Sequence, residues 1–124
     1  MNIVATRTFI KSAKVIAKRY RSFNQDYQKF IKELSDNPEM GVDLGGGFRK
    51  VRMSISSKGK GKSGGCRVIT FDMVESNGNL YLIYAYDKSD HDSVEMKVIR
   101  ELVAEMDLDP VPQYLLTLRS HISE

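Results

Sequence analysis

Apolar residues recur every three or four positions from Thr6 to Asn37, alternate with polar ones from Phe48 to Ser56, and run almost unbroken from Leu80 to Tyr86. The first of these patterns follows a short strand, Asn2 to Ala5. It predicts a helix that Thr6 can cap, with Phe9, Ala13, Ile16 and Tyr20 on one stripe. A second helix carries Phe23, Tyr27, Phe30, Ile31 and Leu34 and ends at Asn37, because Pro38 disfavours helix at its neighbour and has no amide donor. The two form a hairpin. Its outer faces mix Lys11, Lys14, Lys18, Lys29 and Lys32 with Asp26 and Glu33 and read as solvated.

From Gly41 the texture changes. Gly45, Gly46 and Gly47 open a strand, Phe48 to Ser56, in which Arg49, Val51, Met53 and Ile55 alternate with Phe48, Lys50, Arg52 and Ser54, so Lys50 and Arg52 share a face. The stretch Ser57 to Gly65 is a loop, too rich in glycine and lysine for anything else. A strand from Cys66 to about Glu75, a hairpin turn Ser76-Asn77-Gly78-Asn79 and a last strand, Leu80 to Asp87, follow. The last strand is apolar on both faces, as in mid-sheet under helices. Asp92 or Ser93 caps a third helix with Val94, Val98, Ile99, Leu102, Val103 and Met106. The tail, residues 108–124, places Val111, Tyr114, Leu115, Leu118 and Ile122 on one stripe and reads as an appended amphipathic helix with Pro112 in its first turn.

These elements predict an α+β fold in a single domain, 1–124: an N-terminal helical hairpin packed on a mainly antiparallel β-sheet, with a C-terminal helix or helices. At 124 residues the chain can bury an ordinary core, removing roughly two-thirds of its unfolded surface from water. Cys66 is the one cysteine, so there is no internal disulfide, and His91 and His121 share no familiar zinc spacing with it; no metal is expected. No apolar run has signal-peptide or membrane-spanning length, so a cytoplasmic protein without a membrane partner is expected.

Charge sharpens the picture. The net charge is a modest +3, yet the 28 residues from Leu44 to Phe71 hold seven basic residues and no acidic one. The remainder, with 12 basic against 16 acidic residues, is at −4. A basic block on an acidic body is an electrostatic footprint for a polyanion. Within it, Gly61-Lys62-Ser63 resembles the end of a phosphate-binding loop, but the first glycine of that motif would fall at Ser56, and a strand follows in place of the required helix. Two readings of Lys58, Lys60 and Lys62 remain: a glycine-spaced grip on a nucleic-acid backbone, or a basic loop tip serving solubility alone. Lys50, Arg52 and Arg67 on the flanking strands favour the first, because like charges so close are relieved by an anion.

Three stretches, Phe48-Arg49-Lys50-Val51-Arg52, then Lys58-Gly59-Lys60-Gly61-Lys62-Ser63-Gly64-Gly65-Cys66-Arg67-Val68-Ile69, then Leu80 to Lys88, resemble the RelE/HigB branch of the RelE/ParE toxin superfamily, over about residues 6 to 105. The resemblance implies a RelE-like, microbial-RNase-like fold and the toxin of a type II toxin–antitoxin module. It implies an mRNA interferase that inhibits translation by cutting mRNA in the ribosomal A site, without a cofactor. Its partners would be mRNA, ribosomal RNA and a cognate antitoxin bearing a helix-turn-helix or a disordered masking segment. Such cleavage needs a base for the RNA's 2′-hydroxyl, positive charge for the developing phosphorane and an acid for the 5′-oxygen. By this resemblance Lys50 is the base candidate, while Arg52 and Arg67 hold the phosphate. Arg49, Lys58, Lys60 and Lys62 would bind the nucleic-acid backbone. The best-known family pattern adds an arginine after the last strand and a tyrosine early in the final helix. Here Lys88, Ser89 and then Glu95 stand nearby, so Tyr86 and Lys88 are the substitutes, with His91 a competitor. Two other classes compete: a ParE-like inhibitor of DNA gyrase, without nuclease activity, and a non-catalytic RNA-binding module. A shared fold does not separate them.

Overall fold

A computed structural model describes residues 1–59, 64–90 and 96–106. The chain order is β1 (Asn2–Ala5), α1 (Arg7–Arg19), α2 (Phe23–Asp36), β2 (Val42–Gly45), β3 (Phe48–Met53), a 3₁₀ turn (Ser56–Lys58), β4 (Cys66–Met73), a single helical turn α3 (Val74–Asn77), β5 (Asn79–Asp87) and α4 (Met96–Met106). The strands form one five-stranded sheet in the order β1-β5-β4-β3-β2, antiparallel except for β1 beside β5. This is the α+β architecture the periodicity predicts.

Each face of the sheet carries its own core. Thr6 starts α1 by accepting from the Phe9 amide at 3.2 Å, and its hydroxyl donates to the Leu82 carbonyl at 2.8 Å, which fixes the helix to β5. Phe9, Ala13 and Ile16 of α1 and Phe23, Phe30 and Leu34 of α2 then bury against Val51, Met53, Val68, Leu80 and Leu82. The opposite face buries Val4, Phe48, Ile69, Tyr81 and Ile83 with Ile99 of α4. With α1 on one side and α4 on the other, β5 is buried along nearly all its length, as its apolar composition requires.

Several boundaries differ from the sequence reading. The glycines do not open a strand but close a hairpin: β2 precedes them, and Gly45, Gly46 and Gly47 all take positive φ (88°, 64° and 89°). The first long strand stops at Met53, short of Ser56, because Asp26 captures the Ser56 amide (2.8 Å) and hydroxyl (2.6 Å) and turns the chain. Asp26 is therefore buried, at 8% exposure, and does not belong to the solvated face. The expected hairpin turn at Ser76–Asn79 is the helical turn α3, closed by Gly78 in the left-handed region with φ of 80°. A register shift between Ile69 and Thr70 bulges β5. Val98, assigned to a buried stripe, is 43% exposed. The expected cap at Asp92 or Ser93, Val94, His91, His121, Lys60, Lys62 and the proposed tail helix lie outside the described residues.

Candidate active site

Strand alternation assembles the site. Val51 and Met53 of β3 enter the core beneath the helical hairpin, so Lys50 and Arg52 emerge on the opposite face. On that face Arg67 of β4 lies directly across from Arg52, and Tyr86 of β5 lies across from Arg67. The next row on the same face, two residues along the strands, is Lys50, Ile69 and Tyr84. The bulge matters here, because it lets Tyr84 join the face of Ile83 and Tyr86, where the Tyr84 and Tyr86 rings sit 6.3 Å apart. Residues opposed across a strand pair hold their Cβ atoms about 5 Å apart, so two guanidinium-bearing side chains, an ammonium and a phenol share one small surface.

Depth is graded across the row. The edge strand β2 pairs as far as Lys50 and stops short of Arg52, leaving Arg52 exposed and Lys50 half-buried. Arg67 and Tyr86 form the floor at 4% and 2% exposure, and an Arg67 N–H donates to the Cys66 carbonyl at 3.2 Å. Such an arrangement suits a phosphodiester: an exposed cation meets it, and a buried guanidinium can hold two oxygens as charge develops.

Two of the other expected residues, Arg49 and Lys58, are turned away from this row. Arg49 points to the opposite face and is ion-paired with Asp72 at 2.9 Å. Lys88 follows the strand in an exposed turn. Lys58 turns beneath the sheet, where its Nζ donates to Asp87 Oδ1 at 2.9 Å and to the Ser89 hydroxyl at 3.2 Å, and sits 5.2 Å from the centre of the Tyr20 ring. Burial pulls the Lys58 ammonium towards neutrality, but its hydrogen bond to Asp87 outweighs this and raises the pKa.

Asp87 was not foreseen as a site residue. Its carboxylate is 1% exposed and also accepts from the Tyr20 hydroxyl at 2.7 Å, the Ser89 amide at 3.0 Å and Arg19 at 3.3 Å. Burial would raise its pKa, but these donors, Lys58 foremost, hold it far below the usual carboxylate range. The signal in the sequence was faint: an acid closing a doubly apolar strand, two residues before a serine. Beside it, burial and then the Asp87 charge push the Cys66 thiol up to about 12, so Cys66 is a packed and inert thiol.

A family model described as the RelE toxin of the RelE / RelB toxin-antitoxin system matches residues 1–107.

Proposed function

We propose that this chain, which belongs to the RelE toxin family of toxin–antitoxin systems, is a ribosome-dependent mRNA endonuclease. Membership implies an antitoxin partner, and toxins of this family are generally endoribonucleases. The observation that carries the finer reading is the row Arg52, Arg67 and Tyr86 with Lys50 two residues along β3, all on one sheet face. In this reading Lys50 takes the proton of a 2′-hydroxyl whose oxygen attacks the neighbouring phosphorus. Arg52 and Arg67 stabilise the phosphorane, and the P–O5′ bond breaks as the 5′-oxygen takes a proton from Tyr86 or Lys88. The products are a 2′,3′-cyclic phosphate and a 5′-hydroxyl end. Arg49 and Lys58 have no part in it, since each is committed to a carboxylate on the other face.

Expression of the wild type beside Lys50→Ala and Arg67→Ala, with mapping of mRNA 5′ ends and a gyrase supercoiling assay, tests the reading. We expect new 5′ ends in the wild type and a drop in cleavage of roughly 100-fold in Arg67→Ala, the usual cost of removing one donor to a developing charge. Growth arrest with intact transcripts and inhibited gyrase would overturn the nuclease. Cleavage unchanged in Arg67→Ala would overturn the site.

A further inference from the structure

The geometry points to Lys58 and Asp87 as positioning residues that hold Arg67 and Tyr86 in register from the opposite face of the sheet. This rests on the endonuclease reading for what is being positioned, but not for the structural coupling itself. Cys66 and Asp87 are cross-strand partners, and Arg67 and Tyr86 are the next rung, so the ion pair lies one residue from each. These are the terminal rungs of β4 and β5, where a sheet frays first. Five segments are tied together there. Lys58 Nζ joins the 3₁₀ turn to Asp87 and also reaches the Gly65 carbonyl at 3.4 Å, just before β4. Tyr20 and Arg19 add the C-terminal end of α1, and Ser89 adds the turn after β5.

Stability alone is a weak reason for such a pair. Desolvating two charges offsets most of their attraction, and a well-packed apolar replacement is often neutral or better, whereas removing one partner strands a buried charge. What directional hydrogen bonds add is a single geometry. Lys58 and Asp87, at 9% and 1% side-chain exposure, leave the strand ends only one way to meet. An error of about 1 Å at a phosphate-holding guanidinium can cost roughly 100-fold in rate.

The test compares wild type, Lys58→Met/Asp87→Leu, Lys58→Arg and the milder Tyr20→Phe, all as the full chain. The double variant is expected to melt within a few degrees of wild type and to bind mRNA-loaded ribosomes about as tightly, yet to cleave their mRNA at least about tenfold more slowly at saturating complex, a loss in kcat without a rise in KM. Lys58→Arg, which keeps the charge and the donors, should retain most of the rate. Tyr20→Phe should fall between. Native-state hydrogen exchange supplies a readout independent of activity: amides of Val68 and Tyr86 should lose about tenfold protection in the double variant while those of Leu80 to Ile83 keep theirs. Unchanged protection would overturn the coupling whether or not RNA is cut. Altered protection with unchanged cleavage would overturn the positioning role. Altered protection with a wild type that cuts no ribosome-bound mRNA would leave the coupling standing and remove the endonuclease reading.

Discussion

Thr70 is fully buried in β4, at the register shift, and its hydroxyl has no hydrogen-bond partner among the described residues. An unpaired buried hydroxyl keeps its desolvation cost without a compensating bond. Thr70→Val removes the hydroxyl at nearly constant shape and should stabilise the fold by about 1 kcal/mol. The expected reading is a higher urea midpoint with an unchanged slope; a lower midpoint would mean that the hydroxyl is paired. The neighbouring candidates show what a single residue reveals in sequence. Lys50, Arg52 and Arg67 were legible, because strand alternation and chemical type alone put cations on a common face. Arg49 and Lys58 were not: their partners, Asp72 and Asp87, lie outside the basic block, and only the folded sheet brings them near.

Among the elements, those built on local periodicity matched their expected places. The cap at Thr6, the stripe of α1 and the end of α2 at Asn37 are decided within one or two turns of chain. The elements that were misread are those decided by distant groups. β3 ends early because Asp26, thirty residues back, takes the Ser56 amide. β2 was overlooked because it is four residues long with an exposed valine, and it exists only by pairing with β3 across the glycine turn. Gly65 belongs to the same class. A Cβ there would overlap the Met53 carbonyl oxygen, so the chain entering β4 is pressed against the end of β3. Gly65→Ala must push these strands apart beside the rung that carries Arg52 and Arg67. We expect a loss of up to about 3 kcal/mol in stability, measured by urea denaturation. A variant as stable as wild type would show that the β3–β4 end is free to move, and would weaken the case for a rigid site.

For the whole molecule, the basic block of residues 44–71 is not one patch. The sheet sends Lys50, Arg52 and Arg67 to one face and turns Arg49 and Lys58 to the other, where carboxylates neutralise them. The scaffold face therefore carries its own electrostatics, and its buried acids dictate a pH dependence. Hydrogen bonds hold Asp87 below the ordinary carboxylate range against the effect of its burial; those from Ser56 and Ser22 do the same for Asp26. The unfolded chain therefore takes up protons at a higher pH than the folded one, so the stability these acids contribute is complete above roughly pH 5 and falls away as the pH drops through the folded values. Lys58 acts with the opposite sign. Its pKa is raised, so its contribution is complete below the ordinary lysine value of roughly 10 and falls as the pH rises through the folded value. Thermal melts across pH should show a plateau near neutrality with a fall on each side. Asp87→Asn should lower the plateau and flatten both limbs, because it removes one of the two acids and the partner that raises Lys58. An acid limb as steep in Asp87→Asn as in wild type would assign the titration to groups other than this buried pair.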